Sequence, residues 1–321
     1  MSDSEQSVTK TTAQSLKGRH FLTLLDYSTA QLQGLVSLAA QLKQQHKEGV
    51  PYRPLAGKTL AMIFAKASTR TRVSFETGMY QLGGHALFLG QDDIQLGRGE
   101  TVADTARVLS RYVDGIMVRT FSHSDVVELA RCASVPVINA LTDRFHPCQA
   151  LADMMTLMEQ FGDVKGRKLA YIGDGNNMAH SLLAGAVKFG MHVAVAAPPG
   201  YEPLADIVAE CRSIGKETGG TVTITNEPQV AVAGADAVYT DVWASMGQEA
   251  ETAERLQAFQ QFQVGESLLA QATEHAVFMH CLPAHRGEEV TAGVIDGARS
   301  VIFEQAENRL HAQKAILASL L

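Results

Sequence analysis

Cysteine is scarce. The four in the sequence, Cys132, Cys148, Cys211 and Cys281, lie far apart and form no C-x-x-C pair. That spacing excludes a disulfide framework and a closed zinc site, so each thiol has to be judged singly. Long apolar runs are also missing, and none approaches the roughly 20 residues a membrane-spanning helix needs. The first fourteen residues are polar and contain Asp3 and Glu5. They carry neither a signal-peptide core nor an arginine-rich transit pattern, which predicts a tail on a cytoplasmic protein. Positive charge is not in surplus either, with 27 Lys and Arg against 34 Asp and Glu for a net charge of -7. Broad binding to nucleic acid or an anionic membrane needs a positive surface, so both are excluded as general partners. Any local basic cluster is therefore a specific site.

What is present is the composition of an ordinary soluble globular protein, 46% hydrophobic and 19% charged over 321 residues. That length predicts roughly two domains. Leu32, Leu35, Val36, Leu38, Ala39 and Leu42 recur at helical spacing between Thr29 and Lys47. The strand Thr59–Phe64 follows, then a helix from about Arg72 to Leu82 and a short apolar run, Ala86–Leu89. After a polar loop over residues 92–100 come helix Thr101–Arg111, strand Gly115–Val118, helix Ser124–Arg131 and strand Val135–Asn139. A helical pattern from Ala150 to Phe161 breaks the rhythm and reads as a connector between domains. The alternation then restarts: strand Lys168–Ile172, helix Met178–Phe189, strand His192–Ala196 and helix Leu204–Ile214. Short strands Thr221–Thr225, Ala237–Thr240 and Val277–His280 complete it. Strands alternating with helices predict an α/β fold of two similar-sized domains, each a parallel sheet flanked by helices and joined by interdomain helices. Ligands of such sheets gather at the C-terminal strand ends, which are expected to face a shared cleft.

The densest chemistry follows the first strand, at Ser68-Thr69-Arg70-Thr71-Arg72. Hydroxyls, guanidinium groups and the free N–H groups of a helix start favour a small, highly charged anion, above all a phosphate. One arginine alone would be no more than a solvated neighbour of a helix cap, but two arginines interleaved with three hydroxyls favour the anion site. Arg119 stands at the end of the strand Gly115–Val118, and alone would be a surface arginine. His146 and Gln149 flank Pro147 and Cys148 before the connector. A histidine can donate to a carbonyl oxygen and a glutamine amide can bind an NH2 group, while a buried, satisfied histidine accounts for the residues equally well.

Gly173-Asp174-Gly175-Asn176-Asn177 invites a dinucleotide reading, but Met178 stands where G-x-G-x-x-G requires its third glycine. A turn binding a polar small molecule fits better. Asp241, after the strand ending at Thr240, can pair with an ammonium group, and Ser245-Met246-Gly247 can hold a carboxylate or amine. A capped loop with Trp243, the only tryptophan, as packing is the competing account. Cys281, between His280 and Leu282-Pro283, is either a structural thiol, the usual case, or a functional one.

Taken together these motifs closely resemble the aspartate/ornithine carbamoyltransferase family, in order and spacing, from about Phe21 to Arg309. Ser68–Arg72 and His146-Pro147-Cys148-Gln149 match the family's carbamoyl-phosphate motifs, and Asp104-Thr105-Ala106-Arg107 its helix after the polar loop. Asp241 with Ser245-Met246-Gly247, and His280-Cys281-Leu282-Pro283, resemble its ornithine-specific motifs. Cys148 stands where many relatives have Thr.

The resemblance implies a carbamoyl-phosphate domain over residues 1–150 with a returning helix 308–321, and an ornithine domain over residues 151–307. It implies transfer of the carbamoyl group of carbamoyl phosphate to the δ-amine of L-ornithine, giving L-citrulline and phosphate, in arginine metabolism. Ser68, Thr69, Arg70 and Thr71 would hold the phosphate. Arg119, His146 and Gln149 would hold the carbamoyl group, with Arg309 and the Cys281-Leu282 backbone nearby. Asn177, Asp241, Ser245 and Met246 would take the amino-acid end of ornithine. Gln95 would reach an adjacent subunit, which implies a homotrimer or a multiple of trimers with active sites at subunit interfaces. Arg70, Arg119, His146, Asp241 and Cys281 would carry the chemistry, with no metal or organic cofactor. Within the family, Ser245-Met246-Gly247 argues against putrescine, Asp241 against an acylated ornithine, and Cys281 against aspartate. Outside it stand a nicotinamide oxidoreductase, a cysteine hydrolase and a non-catalytic binding protein.

Overall fold

A computed structural model describes residues 16–91, 94, 99–244 and 251–321. The chain divides into two compact units, Met1–Met155 with Glu307–Leu321, and Thr156–Ala306. Each is built around one all-parallel sheet.

In the first unit the strands are β1 (Thr59–Phe64), β2 (His85–Gly90), β3 (Gly115–Arg119) and β4 (Val137–Leu141), in the order β2-β1-β3-β4. The central strands β1 and β3 are buried almost throughout, as their unbroken apolar runs require of a sheet covered on both faces. The edge strand β2 alternates exposed with half-buried residues instead. Ala61, Ile63, Ile116, Val118 and Val137 of the sheet share one core with Ala106, Val126 and Leu129. The helices are α1 (Thr29–Lys47), α2 (Thr69–Gln81), α3 (Val102–Leu109), α4 (His123–Cys132) and α5 (Pro147–Phe161). Ser28 and Gln31 form a reciprocal capping box at the start of α1, and Thr101 and Ser122 cap α3 and α4. Helix α2 begins at Thr69, three residues before its apolar pattern does, because the Ser68 side chain accepts the Thr71 N–H at 3.3 Å and caps it. Helix α5 opens on Pro147, whose fixed φ suits a first helical position. The division between the units falls inside α5.

The second unit has β5 (Lys168–Ile172), β6 (His192–Ala196), β7 (Thr221–Thr225), β8 (Ala237–Thr240) and β9 (Val277–His280), in the order β7-β6-β5-β8-β9. Helices α6 (Asn177–Lys188) and α7 (Ala205–Thr218) follow β5 and β6. Four short helices, α8 (Pro228–Val232), α9 (Thr252–Ala258), α10 (Glu266–Leu269) and α11 (Ala292–Ile295), have no counterpart in the sequence reading, since so few turns show little periodicity. The core of this unit joins Ala170, Ile172, Val238 and Phe278 to Trp243, Phe259 and Phe262. The last helix, α12 (Ile302–Leu320), begins in the second unit and runs from Glu307 onward in the first. Among the described residues no helix is long and apolar enough to cross a membrane.

In both sheets the strand order reverses at one place, between β1 and β3 and between β5 and β8. Connections leave in opposite directions there, opening a crevice at the C-terminal strand ends.

Candidate active site

At the reversal point of the first sheet, the start of α2, the end of β3 and helix α12 each bring an arginine to bear on His146, which stands just before α5. Its pKa lies well below that of an ordinary imidazole, chiefly through burial and then through the positive charges of Arg309, Arg119 and Arg70. A neutral histidine ringed by three guanidinium groups describes a site of strongly positive potential with an uncharged donor in its midst. Arg119, the last residue of β3, and Arg309, on α12, are both buried. Arg309 Nη2 donates to Thr71 Oγ1 at 3.0 Å, and Ser68 Oγ donates to the same oxygen at 3.1 Å. Thr71 is thus fixed at the start of α2, where the helix N–H groups add to the positive field. Arg70 is half-buried beside it.

Arg72 does not join this group. Its Nε donates to Glu76 at 2.9 Å and its guanidinium lies 3.9 Å from the centre of the Phe88 ring, so one of the two arginines of the motif serves the helix surface. Gln149 is buried and its Nε2 donates to Asp153 at 2.8 Å across one turn of α5. That bond orients the amide and leaves Oε1, buried without a protein partner, as the end offered to a ligand. The Cys148 thiol donates to the Asn139 carbonyl at 3.4 Å, and burial pushes its pKa up to about 12. It is a packing thiol with no nucleophilic character.

The second sheet gathers the opposite charge. Asp241 follows β8, is buried, and accepts the Cys281 thiol at 3.0 Å and the Val242 N–H at 2.8 Å on Oδ1. Its Oδ2 accepts from Asn176 Nδ2 at 3.3 Å. Asn176 in turn caps α6 through its Oδ1, which accepts the Met178 and Ala179 N–H groups at 2.9 and 3.2 Å. Asn177 is the first residue of α6 and partly buried. The turn before it needs its glycine, since a Cβ on Gly175 would collide with the backbone of Glu202 and Pro203. That close approach, not a pyrophosphate, explains Gly175.

Cys281 and Leu282 follow β9. Leu282 has φ 59, a left-handed conformation costly for leucine, and its N–H is held by His280 Nδ1 at 2.8 Å. His280 Nε2 faces Glu289 Oε1 at 3.1 Å. Both nitrogens of His280 are therefore committed, which leaves Asp241, His280 and Cys281 poorly suited as a metal-ligand set despite their proximity.

Family models cover both units. Residues 19–159 match the carbamoyl-P binding domain of aspartate/ornithine carbamoyltransferase, and residues 165–320 match its Asp/Orn binding domain. The chain belongs to the aspartate/ornithine carbamoyltransferase family. It is 64% identical over 306 residues to the ornithine carbamoyltransferase of Anoxybacillus flavithermus, covering 95% of this chain and 98% of that protein. Similarity to the ornithine carbamoyltransferase of Geobacillus stearothermophilus is close behind, 62% over 307 residues, with 96% and 98% covered. Among solved structures, the ornithine carbamoyltransferase of Pyrococcus furiosus superposes with a TM-score of 0.93 at 56% identity, covering 95% of this chain and 97% of that one.

Within this family framework, Ser68, Arg70, Thr71, Arg119, His146 and Arg309 form one connected group of the first unit, with Thr69 exposed at the rim. Asp241 and Cys281 are in contact in the second, with Leu282 next to Cys281 in the chain and Asn177 next to Asn176, which donates to Asp241. Gln95, Ser245 and Met246 lie outside the described residues. Sequence reasoning missed Asp153, which fixes Gln149, and it missed Arg255 and Asp174. Arg255 Nη1 donates to Asp174 at 2.9 Å and to the Trp243 carbonyl at 3.0 Å, and its Nε donates to Glu251 at 2.9 Å. It thereby ties together the residues on both sides of positions 245–250. The i, i+4 spacing of Gln149 to Asp153 and of Glu251 to Arg255 was the available signal for each.

Proposed function

We propose that this chain transfers the carbamoyl group of carbamoyl phosphate to the δ-amine of L-ornithine, producing L-citrulline and phosphate. The observation that carries this reading is the ring of Arg70, Arg119 and Arg309 around a neutral His146, in the unit that matches the family's carbamoyl-P binding domain.

Carbamoyl phosphate is a polyanionic mixed anhydride. Ser68, Thr69, Arg70 and Thr71, at the start of α2, hold its phosphate, with Arg309 bracing Thr71. Arg119 and the neutral His146 donate to the carbamoyl oxygen, while Gln149 Oε1 accepts from the carbamoyl NH2. These donors are fixed before reaction, so they stabilise the oxyanion as it develops without reorganising. Ornithine's δ-amine has a pKa near 10.4 by analogy with lysine and arrives protonated. Asp241, Asn177, Ser245 and Met246 take the amino-acid end, the departing proton passes to Cys281 Sγ as that thiol hands its own to Asp241 Oδ1 at 3.0 Å, and the Cys281-Leu282 backbone stands by the carbamoyl group. The nitrogen then attacks the carbamoyl carbon, the carbon–oxygen bond to phosphate breaks, and phosphate leaves with the electron pair.

Gln95 reaching a neighbouring subunit completes this reading as a homotrimer, cytoplasmic, in arginine metabolism. The deciding experiment gives the purified protein carbamoyl phosphate with ornithine, putrescine, aspartate or N-acetylornithine. The expected result is citrulline from ornithine and no comparable product from the other three. No citrulline, or faster turnover of another amine, overturns the reading. Light scattering on the eluting protein checks the trimer.

A further inference from the structure

Beyond His280, the loop after β9 gathers a second set of donor atoms that transfer does not use. Glu289 has a side chain with 0% exposure, and its two oxygens are treated differently. Oε1 accepts the His285 N–H at 2.6 Å and faces His280 Nε2 at 3.1 Å. Since His280 Nδ1 accepts from Leu282, its proton sits on Nε2 and is given to Glu289. Oε2 is buried and has no hydrogen-bond partner, and it points at His285 Nδ1, 3.9 Å away. Glu288 Oε2 lies 3.7 Å from that same nitrogen. One imidazole nitrogen and two carboxylate oxygens thus lie within 4.8 Å of one another.

We infer that His285, Glu288 and Glu289 form a binding site for a divalent transition-metal ion of the zinc class. Donors around tetrahedral zinc stand about 3.4 Å apart, given metal–ligand distances near 2.0–2.2 Å. His285 and Glu288, both about half exposed, close that gap by a side-chain rotation. Glu289 is the fixed ligand, oriented by two donors to its other oxygen, as supporting hydrogen bonds orient metal-ligating carboxylates. Two carboxylates and a neutral imidazole carry a charge of minus two, which a divalent ion cancels. The neighbouring Arg286 does not, because it makes a two-pronged pair with Asp296 at 2.6 and 2.8 Å. An imidazole in the set selects zinc, cobalt or nickel over the oxygen-preferring magnesium and calcium. The competing account is a protonated His285 held by the two carboxylates, in which the exposed His285–Glu288 pair carries little energetic weight.

The test is calorimetric titration of the full chain with Zn2+, in a Cys281→Ser background so that this thiol contributes nothing. The expected result is one Zn2+ bound per chain, with Tm raised by saturating Zn2+. Each of H285A and E288Q should weaken binding by about 10-fold or more, as losing a ligand does, and should abolish the Tm increase. Both residues are exposed enough for the variants to fold, and Mg2+ and Ca2+ should not compete. Absence of Zn2+ binding in the Cys281→Ser protein overturns the site. So does binding that H285A and E288Q leave unchanged, or saturation by Mg2+ or Ca2+ in preference to Zn2+.

Discussion

Beyond β1, β3 and β4 of the first unit stand Arg70, Arg119 and His146, joined by Arg309 of α12, whereas beyond β5, β8 and β9 of the second stand Asp174, Asp241 and Cys281. The architecture is the same and the charge is reversed. Titratable groups in each unit register the difference. Burial and three arginines drive the His146 pKa down. Burial drives Tyr171 well above its ordinary value, and Asp241, Asp174, Cys281 and Glu289 push it the same way. A parallel sheet with a reversal point supplies a place for polar side chains and says nothing about their sign. The residue types at the strand ends choose between an anion and a cation.

The comparison breaks most severely if a cation is removed from the first unit. Arg119→Ala should lower kcat/KM for citrulline formation by about 10²- to 10⁴-fold, since it removes a fixed donor to the developing oxyanion. Unchanged turnover would place the reaction elsewhere. In the second unit, Arg255→Met should destabilise the protein by about 3–5 kcal/mol, because it strands Asp174 as a buried charge without its partner. Urea unfolding measures this, and Arg255→Met with Asp174→Asn should recover part of the loss. Asp241→Asn sharpens the contrast further. It should raise the KM for ornithine by about 10- to 100-fold through loss of a charge-assisted bond, while carbamoyl-phosphate binding measured alone stays unchanged.

The most gradual effect is on pH. His311 is held down to about 3, through burial and then the charges of Lys314, Lys43, His46 and Lys47, so the unfolded chain binds its proton first as pH falls below 6.5. Its contribution to stability is present above 6.5 and is lost towards 3, with a slope of at most about 1.4 kcal/mol per pH unit. Asp174 works in the opposite sense. Burial raises it to about 6 against Arg255, so its contribution is present below 3.8 and is lost as pH rises through about 6. His311→Asn should therefore flatten the acid side of the stability curve, and Asp174→Asn should steepen it, as read by unfolding between pH 4 and 7.

Much of this was legible in the chain. Strands β1, β5, β6, β8 and β9 have the bounds their apolar runs predict, because buried parallel strands are short continuous blocks between polar turns, and the exposed edge strand β7 has the bounds its alternating Thr-Val-Thr-Ile-Thr predicts. Helix starts were less legible. Helices α2 and α5 begin before their apolar patterns, at a serine cap and at a proline, since capping is local and leaves no periodicity. At the site, Ser68-x-Arg70-Thr71, His146, Asp241 and Cys281 could be named from residue type and position after a strand. The fate of Arg72 was half legible, since Glu76 stands four residues on along the same helix, whereas the Phe88 ring that also claims it comes from the neighbouring strand.

The sequence by itself determined the fold class, the two-unit plan and the chemical types at each strand end, since these depend on periodicity and on residues adjacent in the chain. Only the tertiary structure decided that Arg309, 238 positions from Thr71, braces that threonine at the start of α2, and that Asp241 receives the thiol of Cys281 from 40 positions away. It also showed Asp153 and Glu289 fixing Gln149 and His280. Those outcomes depend on which loops the sheet order brings together and on which buried polar groups must find partners there.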